Sequence, residues 1–378
     1  MGLSSALSEG VLALRIAVDA LLYSHHSAGI GHYIRELFSH YARIFPEDQL
    51  YAIVNPGMEI DGIQSFYPLR PLWGSGARLS YEQLALPRLL HQTGYDVVHF
   101  PDYQLPIFGR LPRAVITVHD LVAFRLPETF PPRVGRVKRY LMARSVKHAT
   151  HIIVPSVATR DDLVHILGIP PEVITVVHHG VTWKERDRGA PPRPRPYFLA
   201  VGTLEPRKNL VRLIEAYSLL RHEWGKDCPD LVIAGKPGWL YEAIYAAPAR
   251  HKVEDSVEFL NYVEEDRLLK LYSHAVALCY PSLYEGFGLP MAEAMMVGTP
   301  VVASNRGSLA EIGEGVAIQV DPLDPVSIAE GLERVLRCPE EVQERVKRGQ
   351  ARARELTWEK SSERTRAVYL KVQQEGRK

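Results

Sequence analysis

Short apolar runs alternate with longer amphipathic stretches along most of this chain. The runs are four or five residues long and rich in β-branched and aliphatic side chains, which is typical of parallel strands buried on both faces. Twelve predicted strands fall into two sets: 15–18, 50–54, 96–100, 114–118, 151–154 and 174–177, then 197–201, 231–234, 257–260, 276–280, 300–303 and 316–320. Each set predicts a doubly wound α/β domain, with helices on both faces of a parallel sheet.

A proline-rich segment, residues 190–196, separates the two sets. Such a segment continues neither a helix nor a central strand, so it is a natural linker. We therefore predict a first Rossmann-like domain over 1–190 and a second one that begins at 191. Ligands of doubly wound sheets bind at the carboxyl ends of the strands, so candidate chemistry is sought in the loops that follow strands.

Composition narrows the class of protein. The length of 378 residues suits two domains, and 46% hydrophobic with 24% charged residues is typical of a soluble globular protein. A net charge of +1 gives no electrostatic signature for nucleic acid, which we do not expect as a partner. Three scattered cysteines, Cys228, Cys279 and Cys338, predict neither a disulfide nor a zinc site and fit a reducing cytoplasm.

The amino-terminal region is not predicted to be a signal peptide or a membrane span. Arg15 and Asp19 interrupt the apolar run 11–23, and no run reaches the length of roughly 18 apolar residues that spans a bilayer. We expect residues before Val11 to be loosely ordered and the protein to be cytoplasmic.

Two glutamates bracket a glycine-containing loop after the predicted strand 276–280. Gly286 and Gly288 permit close approach of a ligand, and the helix that follows offers free N–H groups. The carboxylates of Glu285 and Glu293 are suited to the vicinal hydroxyls of a sugar or ribose. The alternative is that Glu293, in or near the first helical turn, only complements the helix dipole and that Glu285 is a surface charge.

Two cations precede a predicted helix after strand 197–201. Arg207 and Lys208 follow Gly202 and Thr203, at a helix end whose dipole disfavours cations by about 0.3–1 kcal/mol each. A bound phosphate reverses that cost through charge-assisted hydrogen bonds. The alternative is a pair of solvated charges beside an Asn209 cap.

Other strand ends carry weaker signals. Gly29 and Gly31 lead into a helix and suit a diphosphate or a tight turn without ligand, but Ile34 occupies the third glycine position of a dinucleotide fingerprint. His119 follows strand 114–118, where it is either a hydrogen-bond donor to a substrate or a structural histidine. The loops 235–238 and 261–263, with Lys236 and Val263, suit a nucleobase.

Taken together, these motifs resemble glycosyltransferase family 4, the retaining, nucleotide-sugar-dependent enzymes of the GT-B fold. The resemblance covers almost the whole chain and is carried by Glu285-x7-Glu293, by "VGTLEPRKNL", by "NYV" and by "VHD". It implies two Rossmann-like domains around a cleft, a second domain ending at 357, and a final helix, 358–378, that crosses back to the first. It implies two groups of site residues: catalytic His119, Arg207, Lys208 and Glu285, and donor-binding Gly29, Gly31, Thr203, Lys236, Val263, Phe287, Gly288, Leu289 and Glu293.

The resemblance also implies a reaction. The acceptor hydroxyl attacks from the face that the diphosphate leaves, Arg207 and Lys208 stabilise the departing nucleoside diphosphate, and His119 lies near the transferred sugar. No D-x-D triplet occurs, which agrees with a metal-independent enzyme that needs no cofactor besides its nucleotide-sugar co-substrate. Likeness to enzymes of bacterial surface-polysaccharide assembly favours GDP-mannose as donor, with UDP-glucose as the alternative, and a glycan or lipid-linked glycan as acceptor.

Two features depart from simple expectation. His178-His179-Gly180 replaces the usual Asn-Gly turn of the family, and we interpret this as structural variation without bearing on the chemistry. The segment 133–148 carries six lysine and arginine residues and no acidic one, so either it contacts an anionic membrane surface or lipid-diphosphate acceptor, or it is a solvated helix face.

Rival functions share parts of this pattern. A nucleotide-sugar epimerase or hydrolase uses the same architecture but needs no acceptor, and a binding module keeps the pocket without transfer. A paired-carboxylate glycosidase is least favoured, because the Arg207–Lys208 pair has no role in it.

Overall fold

The protein folds into two parallel sheets, each with helices on both faces. The structure, a computed structural model, describes residues 13–24, 29–68, 72, 75–106, 111, 113–182, 185–187 and 189–375. The expectation about residues before Val11 falls outside these ranges. Within them, every strand pair is parallel, as the unbroken apolar runs predict. The predicted doubly wound α/β architecture is confirmed.

The first sheet has the strand order β3-β2-β1-β4-β5-β6-β7. Its strands are β1 (Arg15–Asp19), β2 (Gln49–Ile53), β3 (Gln64–Phe66), β4 (Val97–Phe100), β5 (Ala114–Thr117), β6 (His151–Val154) and β7 (Ile174–Val176). The associated helices are α1 (Ile30–Ile44), α2 (Ser75–Leu84), α3 (Leu86–Thr93), α4 (Val122–Arg125), α5 (Pro132–His148) and α6 (Val157–Leu167).

The second sheet has the order β10-β9-β8-β11-β12-β13. Its strands are β8 (Tyr197–Val201), β9 (Asp230–Ala234), β10 (Val257–Asn261), β11 (Ala277–Tyr280), β12 (Val301–Ser304) and β13 (Ile318–Val320). The associated helices are α7 (Leu210–Trp224), α8 (Glu242–His251), α9 (Glu265–His274), α10 (Leu289–Val297), α11 (Gly307–Gly313), α12 (Pro325–Arg337) and α13 (Pro339–Glu355), and a last helix, α14, spans Trp358–Glu375.

Helix α14 leaves the second sheet and packs against α1 of the first. Trp358, Tyr369 and Val372 are buried in one cluster with Tyr33 and the other apolar side chains of α1. The Tyr369 hydroxyl and His99 Nδ1 are 2.6 Å apart, which ties the helix to β4. The assignment of domain limits at residues 190 and 357 stays a prediction.

In both sheets the strand order reverses next to the first strand, between β1 and β4 and between β8 and β11. A crevice forms at such a switch point, at the carboxyl ends of the strands. The loops after β1, β4 and β5 therefore lie at one crevice, and those after β8, β9 and β11 at the other. All the predicted site residues except those in α10 and the loop after β10 belong to these loops or to the helix starts that follow them.

Candidate active site

The two crevices meet through the loop that follows β11, residues 281–288, which we call the Glu285 loop. The carbonyl oxygen of Gly286 accepts a hydrogen bond from Ser156 Oγ at 2.7 Å. The Tyr284 hydroxyl donates to Asp162 Oδ2 at 2.6 Å and accepts from the Leu121 backbone N–H at 3.1 Å. All three partners belong to the first half, so this loop fixes how the two halves face each other.

Four charged side chains converge beside this loop. Lys208 Nζ lies 2.6 Å from Glu285 Oε1, and Arg207 Nη1 lies 2.6 Å from Glu285 Oε2. The guanidinium also contacts Glu205 Oε1 through Nε at 2.5 Å. Every side chain in the cluster is at least four-fifths buried, with 19% the largest exposed fraction, that of Arg207. The two cations that were predicted as a phosphate cradle are thus held in place by two carboxylates.

Electrostatics favour the ionised forms of Glu285 and Arg207 in this cluster. Burial alone raises the pKa of a carboxyl group, but the charges of Arg207 and Lys208 outweigh burial and hold the pKa of Glu285 at about 2. Burial lowers the pKa of Lys208, with Glu285 acting in the opposite direction. For Arg207 the two carboxylates overcome burial and raise its pKa. The cluster has no net formal charge before a ligand arrives, so it is a preorganised set of donors.

The cluster keeps hydrogen-bond donors for a ligand. An ammonium group has three N–H donors, and the described residues engage two of those on Lys208, through Glu285 and the Tyr280 hydroxyl at 2.8 Å. The contacts of Arg207 with the described residues involve Nε and Nη1, so the N–H donors of Nη2 are available to a ligand. A phosphate group accepts such donors strongly.

Asn209 does not cap helix α7 with its side chain. It adopts the left-handed conformation, with φ of 61°, and its Nδ2 donates to the carbonyl oxygens of Pro281 and Pro322 at 3.0 and 2.6 Å. The alternative of two solvated charges beside an Asn209 cap is therefore wrong. The asparagine instead joins the loop after β8 to the Glu285 loop.

Glu293 lies away from the charged cluster. It is the fifth residue of α10 and directly follows the first turn, which holds no acidic side chain, so it lies near that turn as expected. Its Oε2 accepts a hydrogen bond from the Tyr272 hydroxyl at 2.8 Å. Together with Leu289 and His32 it lines a cavity of about 50 Å³. Glu285 and Glu293 thus face different surroundings, as expected for contacts with separate parts of one ligand.

The glycine loop before α1 is shorter than the sequence predicts. Gly29 has a φ of 62° and precedes the helix, whereas Gly31 is its second residue and is buried. Gly31 is therefore a helical residue and not a loop residue. No side chain among the residues that the structure describes caps this helix start.

His119 lines the cleft, but its ring nitrogens face the protein. Nε2 lies 2.9 Å from the carbonyl oxygen of Pro101, and Nδ1 lies 3.3 Å from Nε2 of His179. The turn His178-His179-Gly180, interpreted from the sequence as structural variation without bearing on the chemistry, thus brings His179 into contact with a predicted catalytic residue.

A cavity of about 170 Å³ opens between the two halves beside this histidine. Arg207 and Glu205 line it from the second half, and His119 from the first. Sequence analysis missed two of its lining residues, Phe130 and Trp239, whose ring centroids lie 5.0 Å apart. Lys138, from the basic segment 133–148, also lines the cavity, and its Nζ lies over both rings. Phe130 and Trp239 follow no motif and meet only across the cleft, so the sequence carried no signal for them.

The remaining predicted donor-binding residues are distributed around the second crevice. Thr203 and Lys236 are exposed, and Lys236 Nζ lies 4.3 Å from the ring centroid of Tyr262. Val263, which follows Tyr262 in the loop after β10, is buried. Phe287 is buried near the carboxyl end of the Glu285 loop, and Gly288 precedes α10 with a φ of 101°. Ligand contacts of these residues stay predictions.

Two further properties of the described residues bear on the expectations. They contain no group of three or more His, Cys, Asp and Glu side chains arranged to hold a metal ion. Among the helices that the structure describes, none has the length and apolarity to cross a membrane.

Comparisons with known proteins identify the class as a glycosyltransferase. The model of the family "Glycosyltransferase Family 4" matches residues 29–185, and that of "Glycosyl transferases group 1" matches 181–352. Among solved structures, sucrose-phosphate synthase from Thermosynechococcus elongatus superposes with a TM-score of 0.75 at 19% identity, covering 95% of this chain and 99% of that one. The lipopolysaccharide glycosyltransferase WaaG gives 0.71 at 17% identity, covering 93% and 98%.

Sequence relatives give a finer assignment. The O-antigen chain mannosyltransferase B of Escherichia coli is 32% identical over 284 residues, which cover 72% of this chain and 74% of the relative. The O-antigen chain mannosyltransferase RfbU of Salmonella typhimurium is 29% identical, with 68% and 70% covered. The chain therefore belongs to glycosyltransferase family 4 and has the GT-B fold.

Proposed function

We propose that this glycosyltransferase moves mannose from GDP-mannose to a hydroxyl group of a glycan or lipid-linked glycan, with retention of configuration and without a metal ion. The observation that carries the proposal is the buried cluster in which Glu285 holds Arg207 and Lys208 at the cleft beside His119. Two relatives at 32 and 29% identity are named as mannosyltransferases, which supports mannose as the transferred sugar.

In this proposal the cluster stabilises the leaving group. As the bond between sugar and diphosphate breaks, negative charge grows on the phosphate oxygens, and fixed cations stabilise that charge in the transition state. Charge-assisted hydrogen bonds contribute about 1.5–3 kcal/mol each. The acceptor hydroxyl approaches through the cavity between Trp239 and His119 and passes its proton to the departing phosphate. Glu293 binds the ribose, and the backbone N–H groups at the amino-terminal end of α10 bind the sugar.

A thermal-shift screen tests the nucleotide. GDP, UDP and ADP are each added to the full chain, and the ligand that binds stabilises the protein in proportion to RT ln(1 + [L]/Kd). The proposal expects GDP to give the largest shift. A larger shift with UDP favours the UDP-glucose alternative, and no shift with any of them contradicts a nucleotide-sugar enzyme.

A transfer assay tests the reaction. The protein is incubated with GDP-mannose alone and with α-mannosides as acceptors, and the anomeric configuration of the product is read by NMR. Transfer with an α-linked product supports the proposal. Consumption of the donor that is independent of any acceptor supports an epimerase or hydrolase, and binding without turnover supports a non-catalytic module.

We also propose a peripheral contact between helix α5 and an anionic membrane surface, the inner face of the membrane. Val134, Val137 and Tyr140 expose 42, 54 and 62% of their surface. The exposed cations on the same helix are Arg133, Arg136, Arg144 and Lys147. Apolar side chains among cations, on a helix beside the acceptor cleft, suit the interface of an anionic bilayer.

Liposome co-sedimentation tests this contact. The protein is expected to sediment with vesicles that contain anionic lipid and to stay in solution with neutral ones. Val137→Asp weakens sedimentation, whereas the control Leu219→Asp, at a residue 46% exposed on α7, leaves it unchanged. Equal sedimentation of both variants, or none by the wild type, identifies α5 as a solvated face.

A further inference from the structure

The turn His178-His179-Gly180 lies where the crossing helix meets the cleft. A Cβ atom on Gly180 would lie 2.3 Å from the backbone nitrogen of Trp358, so only glycine permits this close approach. His179 is 5% exposed, and its Nε2 lies 3.3 Å from Nδ1 of His119. The turn therefore places a buried imidazole directly behind the predicted catalytic one.

Hydrogen-bond partners determine which nitrogens carry protons in this pair. A carbonyl oxygen only accepts, so His119 Nε2, at 2.9 Å from the Pro101 carbonyl, carries a proton. Burial lowers the pKa of His119 and favours the neutral ring, in which Nδ1 is then an acceptor. His179 must therefore donate from Nε2 to His119 Nδ1.

The surroundings of His179 agree with that assignment. Its other nitrogen, Nδ1, is buried and has no hydrogen-bond partner among the described residues, which suits a bare ring nitrogen and not a second N–H. Burial, with positive charge on His119, His32 or His178 acting in the same direction, holds the pKa of His179 well below its ordinary value. A neutral His179 has one N–H, and that donor points at His119.

Three aromatic rings hold His179 in this orientation. Tyr33 of α1 lies 4.8 Å away between ring centroids, and Phe287 of the Glu285 loop lies 5.1 Å away. Trp358 of α14 stacks at 6.1 Å with an interplanar angle of 24°. The imidazole is thus held by aromatic rings from both halves.

We propose that His179 is a positioning residue that donates to Nδ1 of His119 and so keeps the proton of His119 on Nε2. His119 then acts at the cleft as a neutral hydrogen-bond donor and not as a proton acceptor. When a sugar hydroxyl replaces the Pro101 carbonyl as partner of Nε2, the bond from His179 preserves the tautomer. This role of His119 toward the sugar rests on the proposed function.

The tautomers are measured without any substrate. In the full chain labelled with 15N-histidine, we expect both His119 and His179 to show a protonated Nε2 and a bare Nδ1 at neutral pH. Resonances are assigned from the His119→Gln and His179→Gln variants. A proton on Nδ1 of His119, or a doubly protonated ring, would overturn the proposal, and this result does not depend on whether the donor is GDP-mannose.

Activity separates positioning from packing. His179→Phe keeps the aromatic volume and removes the donor, so kcat should fall by about tenfold, the effect of one hydrogen bond on a rate, with the donor KM within about threefold. His179→Gln keeps an N–H at a similar reach and should retain at least about a third of kcat. Normal kcat in the phenylalanine variant, or equal losses in both, would overturn the proposal. If the wild type transfers no mannose, the proposed function fails, while the tautomer measurement still decides the role of His179.

Discussion

Gly286→Ala is expected to separate the two halves of the protein at the active site while leaving each half folded. The Gly286 backbone packs on the His119 backbone, and an added Cβ would lie 1.7 Å from the carbonyl oxygen of His119. The atoms in conflict are both backbone-bound, so no side-chain rotation relieves the contact. The same residue accepts hydrogen bonds from Ser156 and Thr159, which resist the displacement.

The distance by which the Glu285 loop must move in Gly286→Ala determines the expected loss of activity. Cβ atoms essentially never lie within 3.0 Å of such an oxygen, so the Glu285 loop and the His119 segment must move apart by roughly 1.3 Å, and a misplacement of about 1 Å costs about a hundredfold in rate. The helices and strands on either side keep their cores, because Gly286 contributes no side chain to them. We therefore expect kcat/KM to fall about a hundredfold with little change in thermal unfolding.

Initial rates of sugar transfer and the unfolding temperature are measured together for this variant. Gly76→Ala is the matched control, since a Cβ at this exposed helical glycine meets nothing within 4 Å. It should show wild-type rates. If Gly286→Ala also keeps a rate within about threefold of the wild type, the contact between these loops is not needed for catalysis and the reasoning fails.

Three further outcomes are expected, two from the charged cluster and one from the proposed metal-independent reaction. Lys208→Ala should lower turnover at least about a hundredfold with normal circular dichroism, because the leaving diphosphate loses a fixed cation; near-normal turnover refutes the phosphate assignment. Glu285 has a pKa of about 2 against 4.5 for an unperturbed carboxyl, so its contribution to stability is complete above about pH 4.5 and is lost as pH falls toward 2. In Glu285→Gln, the decrease in unfolding free energy between about pH 4.5 and 2 should therefore be smaller than in the wild type by roughly 3 kcal/mol. The same decrease in both proteins contradicts the ion pairs. Full activity is expected in EDTA, and an absolute magnesium requirement would contradict a metal-independent reaction.

The sequence predicts the fold well because both sheets are parallel and buried. Unbroken apolar runs such as 152–154 and 231–234 are buried on both faces, so they stand out from the amphipathic helices between them. β3 (Gln64–Phe66) was not predicted, since only its last residue is a large apolar one and it lies at the sheet edge. The start of α1 was misplaced because glycine signals a loop, whereas packing against the first sheet keeps Gly31 helical.

The sequence identified many of the residues of the site, but it did not predict which of them contact each other. Arg207 and Lys208 were identified by their position after a strand, but their pairing with Glu285 joins residues 77 and 78 positions apart, and no local pattern encodes it. The same holds for Trp239, which meets Phe130 only across the cleft. The first contact depends on how the loops after β8 and β11 meet at the edge of one sheet, and the second on how the two sheets face each other.

Successive residues of the Glu285 loop face different halves of the protein, so the position of each residue along the loop determines its contacts. Tyr284, Gly286 and Phe287 contact the first half, at Asp162, His119 and His179. Glu285, between them, turns to the second half and binds Lys208 and Arg207. A shift of one residue would turn the carboxylate toward the His119 carbonyl and leave the buried Lys208 without its carboxylate, a cost of several kcal/mol. The loop therefore holds the leaving-group cations and closes the two halves through one set of backbone positions.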